Sequence, residues 1–207
     1  MKQALLIQDA VNIYGISPDA VAQVLEDILG DLYEISRVRD YGCLSYETLK
    51  QYHTVILAGT DWDRNGSKAS AAALISYTVC GGTVLALGDA LRVQRCFELN
   101  CLFGARIIGT GTPCLLDLMP EKHHVVTRDA ENFSLVEYPN FYEMDPILES
   151  EVIAYLNYAS KQYPAAWCHQ YGWGKVVCIA VGNFPESYLP PLRRIAWRAG
   201  TWLLNRL

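Results

Sequence analysis

Four short, uninterrupted runs of apolar residues constrain the fold of this 207-residue chain more strongly than any other feature. Apolar and polar residues do not alternate within these runs, which is typical of strands that are covered on both faces in a parallel sheet. Leu32–Val38 is a fifth strand candidate with a weaker pattern. The four strong runs are Ala4–Ile7, Val55–Ala58, Val84–Leu87 and Val176–Val181.

Helix signals separate these strands. Ser17–Asp19 provides a capping hydroxyl, a proline and an acid, which indicate the first turn of a helix, and Gly30 indicates its end. Further helical patterns cover Ser67–Val79 and Pro191–Leu204. Because strands that alternate with helices form right-handed βαβ units, the sequence predicts an α/β fold with a mainly parallel central sheet.

Prolines and aromatic residues interrupt this alternation between about residues 105 and 164. We expect irregular or antiparallel segments there, within one domain that covers residues 1–207. Hydrophobic residues make up 51% of the chain and charged residues 19%, which favours an ordered domain with a large core.

Charge and cysteine usage exclude several classes of partner. The net charge is −5 and no basic stripe is present, so we expect no nucleic-acid partner. No apolar run approaches the roughly 20 residues that cross a bilayer, and the N-terminal run is too short for a signal peptide. The seven scattered cysteines favour free thiols, so we expect a cytoplasmic protein without membrane association.

The 13 tyrosines and 5 tryptophans favour a homo-oligomer, because aromatic residues are enriched at interfaces.

A polar residue or a glycine follows each of the four strong strands. Ligands bind at the carboxyl ends of strands in open α/β sheets, so we expect a small-molecule site at this edge. Each Asp or Asn taken singly has an alternative role, which is to cap a helix or to shape a turn. The candidate ligand-binding residues at these strand ends are Asp9, Asp61, Trp62, Gly88 and Asn183.

Asp89 follows the third strong strand at the type of strand–helix turn where many α/β enzymes hold a nucleophile. The turn contains neither Cys nor Ser, so Asp89 is the candidate catalytic residue, as a general base, with a helix-capping role as the alternative. Glu143 is a further ligand-binding candidate, because it lies in the aromatic segment Phe141–Asp145. Aromatic faces beside carboxylates occur in sugar sites and equally in ordinary surface loops.

No metal centre or cofactor is expected. The cysteines lack the two close pairs that are usual in zinc sites. Neighbouring residues on an extended chain point to opposite faces, so neither His123-His124 nor Cys168-His169 predicts a joint ligand set or a thiol–imidazole pair. Gly109–Gly111 lacks the third glycine and the following helix of a dinucleotide fingerprint.

The C-terminal third of the chain carries a set of motifs that resembles a known family. These are a Pro-x-x-Trp pattern at Pro164–Trp167, a Tyr-Gly-x-Gly-Lys-Val pattern at Tyr171–Val176, Gly182-Asn183 after the last strand, and tryptophans in the final helix. Together with the helix–Gly-Gly–strand pattern of Tyr77–Leu87, they resemble the ThuA-like (trehalose utilisation) proteins. The resemblance implies the flavodoxin-like three-layer sandwich of the class I glutamine amidotransferase-like superfamily.

The chain departs from this family at the positions that carry its chemistry. Amidotransferases have a Cys at the strand–helix turn and a His in a later Gly-His, whereas this chain has Gly88-Asp89 and Asn183. The histidines that are usual in ThuA-like proteins are absent from the same places. Glutaminase activity through a Cys–His pair is therefore not expected.

The sequence leaves two functions open. The first is a ThuA-like protein that binds a small polar ligand, a carbohydrate or a derivative of one, with or without catalysis. The alternative is a non-catalytic binding or assembly module derived from a glutamine amidotransferase-like ancestor.

Overall fold

A nine-stranded mixed sheet organises the chain. The computed structural model describes residues 1–15 and 17–205. The strands are β1 (Lys2–Ile7), β2 (Tyr33–Val38), β3 (Thr54–Ala58), β4 (Thr83–Leu87), β5 (Ala105–Thr110), β6 (Cys114–Pro120), β7 (Phe133–Glu137), β8 (Asn140–Met144), β9 (Glu151–Tyr158), β10 (Lys161–Tyr171) and β11 (Gly174–Ile179). The helices are α1 (Asp19–Leu29), α2 (Tyr46–Leu49), α3 (Trp62–Asn65), α4 (Lys68–Val79), α5 (Phe97–Phe103) and α6 (Pro190–Leu203).

The order of strands in the large sheet is β2-β1-β3-β4-β11-β10-β9-β6-β7. The five strands from β2 to β11 pair in parallel, which confirms the strands expected from the apolar runs. From β11 onwards every pairing is antiparallel. The prediction of a mainly parallel sheet therefore holds for one half of the sheet only, and the whole sheet is mixed.

The proline-rich stretch accounts for this difference. It forms antiparallel strands, as expected, but β6, β7 and β9 extend the large sheet and do not form a separate excursion. Only β5 and β8 leave it, and they pair with each other in a two-stranded sheet. Short apolar runs with interrupting prolines cannot indicate which strand will be the neighbour, because pairing depends on contacts that are distant in sequence.

Alternate residues of the parallel strands enter two different cores, which explains why the runs are uninterrupted. Leu6 of β1 and Leu85 of β4 belong to a core that includes residues of α1 and α6. Leu5 and Val84 belong to a second core that includes residues of α4 and α5. Both faces of these strands are therefore buried, as the lack of alternation predicts.

The predicted helix signals lie at the observed helix starts. Ser67 caps α4 through its hydroxyl, which accepts a hydrogen bond from the Ser70 amide at 3.0 Å. Helix α1 begins at Asp19 as expected, but Pro18 occupies the capping position, and the Ser17 hydroxyl accepts from the Asp19 amide at 3.3 Å. In the part of the chain that the structure describes, no helix is both long and apolar enough to span a membrane.

A two-residue turn, Gly172-Trp173, joins β10 to β11, the central strand of the sheet. It sets the antiparallel register in which Tyr171 pairs with Gly174. Gly172 has a φ of +62°, in the left-handed region that glycine favours. A Cβ at Gly174 would lie 2.1 Å from the carbonyl oxygen of Gly82 and 2.3 Å from that of Thr78. Both glycines are therefore needed where the hairpin meets the end of α4.

We predict that Gly174→Ala lowers the free energy of unfolding by about 2–3 kcal/mol, because two backbone carbonyls would have to move to admit the methyl group. Gly109→Ala is the matched control, since its Cβ would meet nothing closer than Cδ2 of Phe141 at 3.5 Å. The control is expected to change stability by less than about 0.5 kcal/mol. Urea denaturation of both variants measures the difference, and equal stabilities would contradict the packing argument.

Candidate functional site

The carboxyl ends of β1, β3 and β4 open into a cavity of about 450 Å³, which we call the strand-end cavity. Its volume is within the range of about 300–1,000 Å³ that is common for small-molecule sites. Three carboxylates and three guanidinium groups line it: Asp61, Asp63, Asp89, Arg64, Arg92 and Arg95. The predicted edge of the sheet thus holds a polar cavity.

Buried polar atoms without a protein partner are concentrated at this edge. The described residues contain seven buried side-chain polar atoms that lack a hydrogen-bond partner. Five of the seven belong to residues that directly follow β1, β3 or β4: Gln8, Asp9, Thr60, Trp62 and Asp89. Such atoms are rare in protein interiors and call for an explanation, and a polar ligand in the adjacent cavity is one.

Asp89 is the most buried carboxylate of the cavity, with only 4% of its surface exposed. It lies in the 3₁₀ turn Gly88–Leu91, and its Oδ1 accepts a hydrogen bond from the amide of Asn140 at 2.9 Å. Its Oδ2 has no partner. Burial raises the pKa of the Asp89 carboxyl, and the Asn140 amide and the Tyr14 hydroxyl oppose this shift. Asn140 therefore holds the carboxylate through Oδ1 and the Tyr14 hydroxyl is close enough to lower its pKa, while Oδ2 lacks a hydrogen-bond partner of normal geometry.

Gly88 and Asn183 fit together beside Asp89. Oδ1 of Asn183 accepts a hydrogen bond from the Asp89 amide at 2.7 Å. Gly88 has a φ of +56°, and a Cβ there would lie 2.1 Å from the same Asn183 oxygen. These two predicted residues shape the turn that presents Asp89, and neither lines the strand-end cavity.

Glu137, which sequence reasoning missed, fixes this arrangement from the far edge of the sheet. It is 1% exposed, and its Oε2 accepts hydrogen bonds from the Gly182 amide at 3.0 Å, the Asn183 amide at 3.1 Å and the Ser187 hydroxyl at 2.8 Å. Its Oε1 accepts from the Asn183 side chain at 3.3 Å. Burial raises the pKa of Glu137, whereas these donors lower it. No local pattern marks the residue, because its partners lie 45 or more positions away.

A cluster of three aromatic rings lies beside Asp89. Tyr14 stacks on Tyr138 with ring centres 4.2 Å apart and planes inclined by 21°, and Phe184 packs 5.4 Å from Tyr14. All three rings are half-buried. Burial, followed by the nearby Asp89 carboxyl, raises the pKa of the Tyr14 hydroxyl. This cluster was also missed, because its members come from three loops that are remote in sequence.

A hydrogen bond connects Asp9, which follows β1, with Asp61, which follows β3. The Asp61 carboxylate caps α3 by accepting a hydrogen bond from the Arg64 amide at 3.2 Å, which is the capping alternative considered above. Oδ2 of Asp9 accepts from the Asp61 amide at 2.7 Å, and its Oδ1 is unpartnered. Burial raises the pKa of Asp9. Asp9 therefore supports the loop after β3, and Asp61 is the member of the pair that lines the cavity.

Trp62 and Glu143, two of the predicted ligand-binding residues, do not line the strand-end cavity. Trp62 is 3% exposed and packs on Tyr41 with ring centres 4.9 Å apart, so its faces are covered by the core. Glu143 is on β8 and forms an ion pair with Arg106 of β5, with its Oε2 2.6 Å from Nε. It lines another cavity, of about 510 Å³, because the β5–β8 sheet is separate from the parallel strands.

The fold also brings together His124, Glu151 and Cys168, a set that could hold a metal ion by proximity alone. Nε2 of His124 lies 3.5 Å from the Cys168 sulfur and 4.0 Å from Glu151. However, the Val126 amide donates to Nδ1 of His124 at 3.2 Å, so the proton of the neutral ring is on Nε2. Burial raises the pKa of the Cys168 thiol to about 12. The proton on Nε2 and the neutral thiol favour a structural contact over a metal centre or a nucleophile.

Comparison with known proteins gives both a family and a fold. The family model described as ThuA, trehalose utilisation, matches residues 11–203. No curated protein matches the chain in sequence.

Solved structures similar to this chain include proteins of different length. A ThuA-like protein from Bacteroides uniformis ATCC 8492 has a TM-score of 0.79 at 15% identity, covering 98% of this chain and 91% of that one. The cytoplasmic protein STM3548 from Salmonella typhimurium has a TM-score of 0.69 at 11% identity, with coverages of 98% and 99%. A β-galactosidase from Rahnella sp. R3 has a TM-score of 0.71 at 10% identity, covering 100% of this chain but 32% of the enzyme. At these identities the likeness concerns the fold.

The two buried carboxylates should respond in opposite directions to neutralisation. Because burial raises the pKa of Asp89 in the folded state, its ionised form is disfavoured there, and the resulting stability is present at low pH and is lost as the pH rises through the folded pKa. We predict that Asp89→Asn raises the free energy of unfolding at pH 7 by about 1 kcal/mol, the order of cost of an unpaired buried polar atom. The gain should vanish below the ordinary aspartate pKa of 3.8.

Glu137→Gln is the comparison variant for this measurement. The glutamine amide nitrogen would face N–H and O–H donors, so we expect a loss of about 2–3 kcal/mol at pH 7. Urea denaturation at pH 7 and pH 3 measures both effects. If Asp89→Asn also loses stability at pH 7, the Asp89 carboxylate is part of the structural framework.

Proposed function

Because the chain belongs to the ThuA, trehalose utilisation, family, we propose that it binds a small polyhydroxylated molecule, a carbohydrate or a derivative of one, in the strand-end cavity. The observation that carries this proposal is the Asp89 carboxylate, which is buried beside the cavity with one oxygen held by Asn140 and the other unpartnered. A ligand hydroxyl donating to that oxygen removes the cost of leaving it unpaired. Thr60, whose buried hydroxyl also lacks a partner, lines the same cavity.

The aromatic cluster of Tyr14, Tyr138 and Phe184 supports a sugar in particular. Half-buried aromatic rings offer apolar faces on which the C–H surface of a sugar ring can pack, while carboxylates accept its hydroxyl hydrogen bonds. Trp62, the aromatic residue among the ligand-binding candidates from the sequence, cannot provide such a face, because its ring is buried in the core. In this proposal the stacking role falls to Tyr14 and its neighbours, which adjoin Asp89 but are not among the residues that line the strand-end cavity.

Asp89 is also the general base of this proposal. Its raised pKa brings it closer to the range in which a carboxylate can accept a proton from a ligand hydroxyl at neutral pH. Asn140 orients the carboxylate, and Asn183 orients the backbone of the turn. Asp61 contributes a second acceptor at the wall of the cavity.

One observation favours the second candidate function, a binding or assembly module without inherited glutaminase chemistry. The space that a side chain at position 88 would occupy is filled by the Asn183 carboxamide, 2.1 Å from the Cβ position. A nucleophile at that point of the turn is therefore incompatible with Asn183 as placed. The ligand site at Asp89 is compatible with either candidate, and turnover of a bound sugar distinguishes them.

We further propose that the finer description of the fold is that of the class I glutamine amidotransferase-like, flavodoxin-like three-layer sandwich. The placement of α1 and α6 in one core and of α4 and α5 in the other supports it.

A cytoplasmic location is also proposed, supported by the mildly acidic charge and the seven free thiols.

The proposed ligand site predicts a stabilisation that can be measured by thermal unfolding. Millimolar neutral sugars, sugar acids, sugar phosphates and glutamine are added in turn, and at least one sugar class should raise the melting temperature, since a ligand at 100 times its Kd stabilises by about 2.7 kcal/mol. Asp89→Asn should abolish the ligand-induced shift relative to its own unliganded value. Glu143→Gln is the control and should keep it, because Glu143 lines a different cavity.

The absence of any shift in the wild-type protein would contradict the ligand site. Ammonia should not be released from glutamine, and rapid release would contradict the argument from Gly88 and Asn183.

Self-association remains a proposal, supported by large apolar side chains on the surface such as Phe97 and Ile147, which are 69% and 87% exposed. We predict that light scattering of the native protein gives a multiple of the 23.2 kDa chain mass. Single-chain mass at micromolar concentration would contradict it.

A further inference from the structure

The strand-end cavity contains three arginines beside its three carboxylates, and these arginines are not paired within the protein. In residues 1–15 and 17–205, the guanidinium groups of Arg64, Arg92 and Arg95 form no ion pair or side-chain hydrogen bond. Outside the cavity, by contrast, Arg37 pairs with Glu26 and Arg106 pairs with Glu143. The three cavity arginines are thus available to a ligand.

The neighbouring carboxylates position these arginines and do not pair with them. Asp63 accepts hydrogen bonds from the amides of Gln94 at 2.8 Å, Arg95 at 2.8 Å and Cys96 at 3.3 Å. This fixes the backbone that carries Arg95. Asp61 accepts from the Arg64 amide in the same way. The oxygens of these two acids are therefore engaged by backbone N–H groups, and neither acid forms an ion pair with the cavity arginines.

The cavity has two chemically distinct parts. Asp89 is its buried carboxylate, with an unpartnered oxygen, whereas Arg64 and Arg95 are exposed and Arg92 is half-buried. Arg92 is close enough to Asp89 to lower the pKa of that carboxyl. A ligand that satisfies both parts has hydroxyl groups at its inner end and an anionic group at its outer end.

We infer that the ligand is an anionic sugar derivative, whose phosphate or carboxylate group binds Arg92 and Arg95 while its hydroxyls donate to Asp89. This inference rests on the proposed function and narrows its ligand class. Arginine is suited to the anionic end, because its planar set of donors matches phosphate and carboxylate oxygens in pairs. A phosphate ester and a sugar acid share this chemistry, and the experiment separates them.

The test measures binding of four probes to the wild-type protein by calorimetry at low and at moderate salt. The probes are glucose, glucose 6-phosphate, gluconate and inorganic phosphate. We expect one of the two anionic sugars to bind at least tenfold more tightly than glucose and than inorganic phosphate, with an affinity that falls as salt is added. The preferred anion identifies the source of the charge.

Arg92→Gln and Arg95→Gln are each expected to weaken the anionic sugar at least tenfold and to leave the affinity for glucose within about twofold. Arg106→Gln is the matched control, because Arg106 is paired and lies in the other cavity. Arg95 is exposed, so its replacement tests charge without disturbing the core. Arg95→Lys should recover part of the affinity.

The outcomes separate this inference from the proposed function. If glucose binds as tightly as both anionic sugars, and the arginine variants change nothing, the inference of an anionic ligand is wrong while the sugar site stands. If inorganic phosphate binds as tightly as the anionic sugar, the arginines form a simple anion site and the inference is also wrong. If no sugar binds at all, the proposed function itself fails.

Discussion

The hydrogen bonds of one buried carboxylate, Glu137, hold together the part of the molecule on which the candidate site depends. Glu137 ends β7 at one edge of the sheet, yet its oxygens accept from the loop that follows the central strand β11. Asn183 in that loop then accepts from the amide of Asp89, and Asp89 accepts from Asn140 at the start of β8. A continuous polar network therefore joins the antiparallel half of the sheet to the end of β4. Such networks are stable only when nearly every member is satisfied, and the buried Oδ2 of Asp89 is a member without a hydrogen-bond partner.

The two halves of the sheet contribute differently to this arrangement. The parallel strands supply the acids and arginines of the strand-end cavity through the loops at their carboxyl ends. The antiparallel half supplies Glu137 at the end of β7, and the chain that continues from it into the separate β5–β8 sheet supplies Tyr138 and Asn140. Family membership thus accounts for the framework, whereas the chemistry depends on side chains that this chain has at the turn after β4 and the loop after β11.

Much of the fold could be predicted from the sequence because the relevant signals are local. Uninterrupted apolar runs identify strands buried on both faces, and a serine or proline at a helix start marks its first turn. The same logic placed Asp9, Asp61 and Asp89 at the correct edge of the sheet. It could not reveal that Trp62 is turned into the core or that Glu143 is on a separate two-stranded sheet, because side-chain direction and strand pairing depend on residues far away in the chain.

The residues that sequence reasoning missed share a physical cause. Glu137, Asn140, Tyr14 and Tyr138 occur in loops and strand ends with no periodicity, and each acquires its role through a partner 45 to more than 100 positions away. The contact of His124 with Cys168 has the same origin, since 44 positions separate them.

The close fit of Gly88 against Asn183 has a consequence for how the chemistry of this chain can change with time. Because the Asn183 oxygen occupies the volume of any side chain at position 88, the two positions are epistatic, and neither can be altered freely while the other is kept. A side chain cannot be introduced at position 88 by one substitution without cost, since the variant would carry a steric clash with Asn183, and a change at Asn183 alone would leave the Asp89 amide without its acceptor. Descendants of this sequence are therefore expected to keep the present shape of the turn that carries Asp89 unless both sites change together.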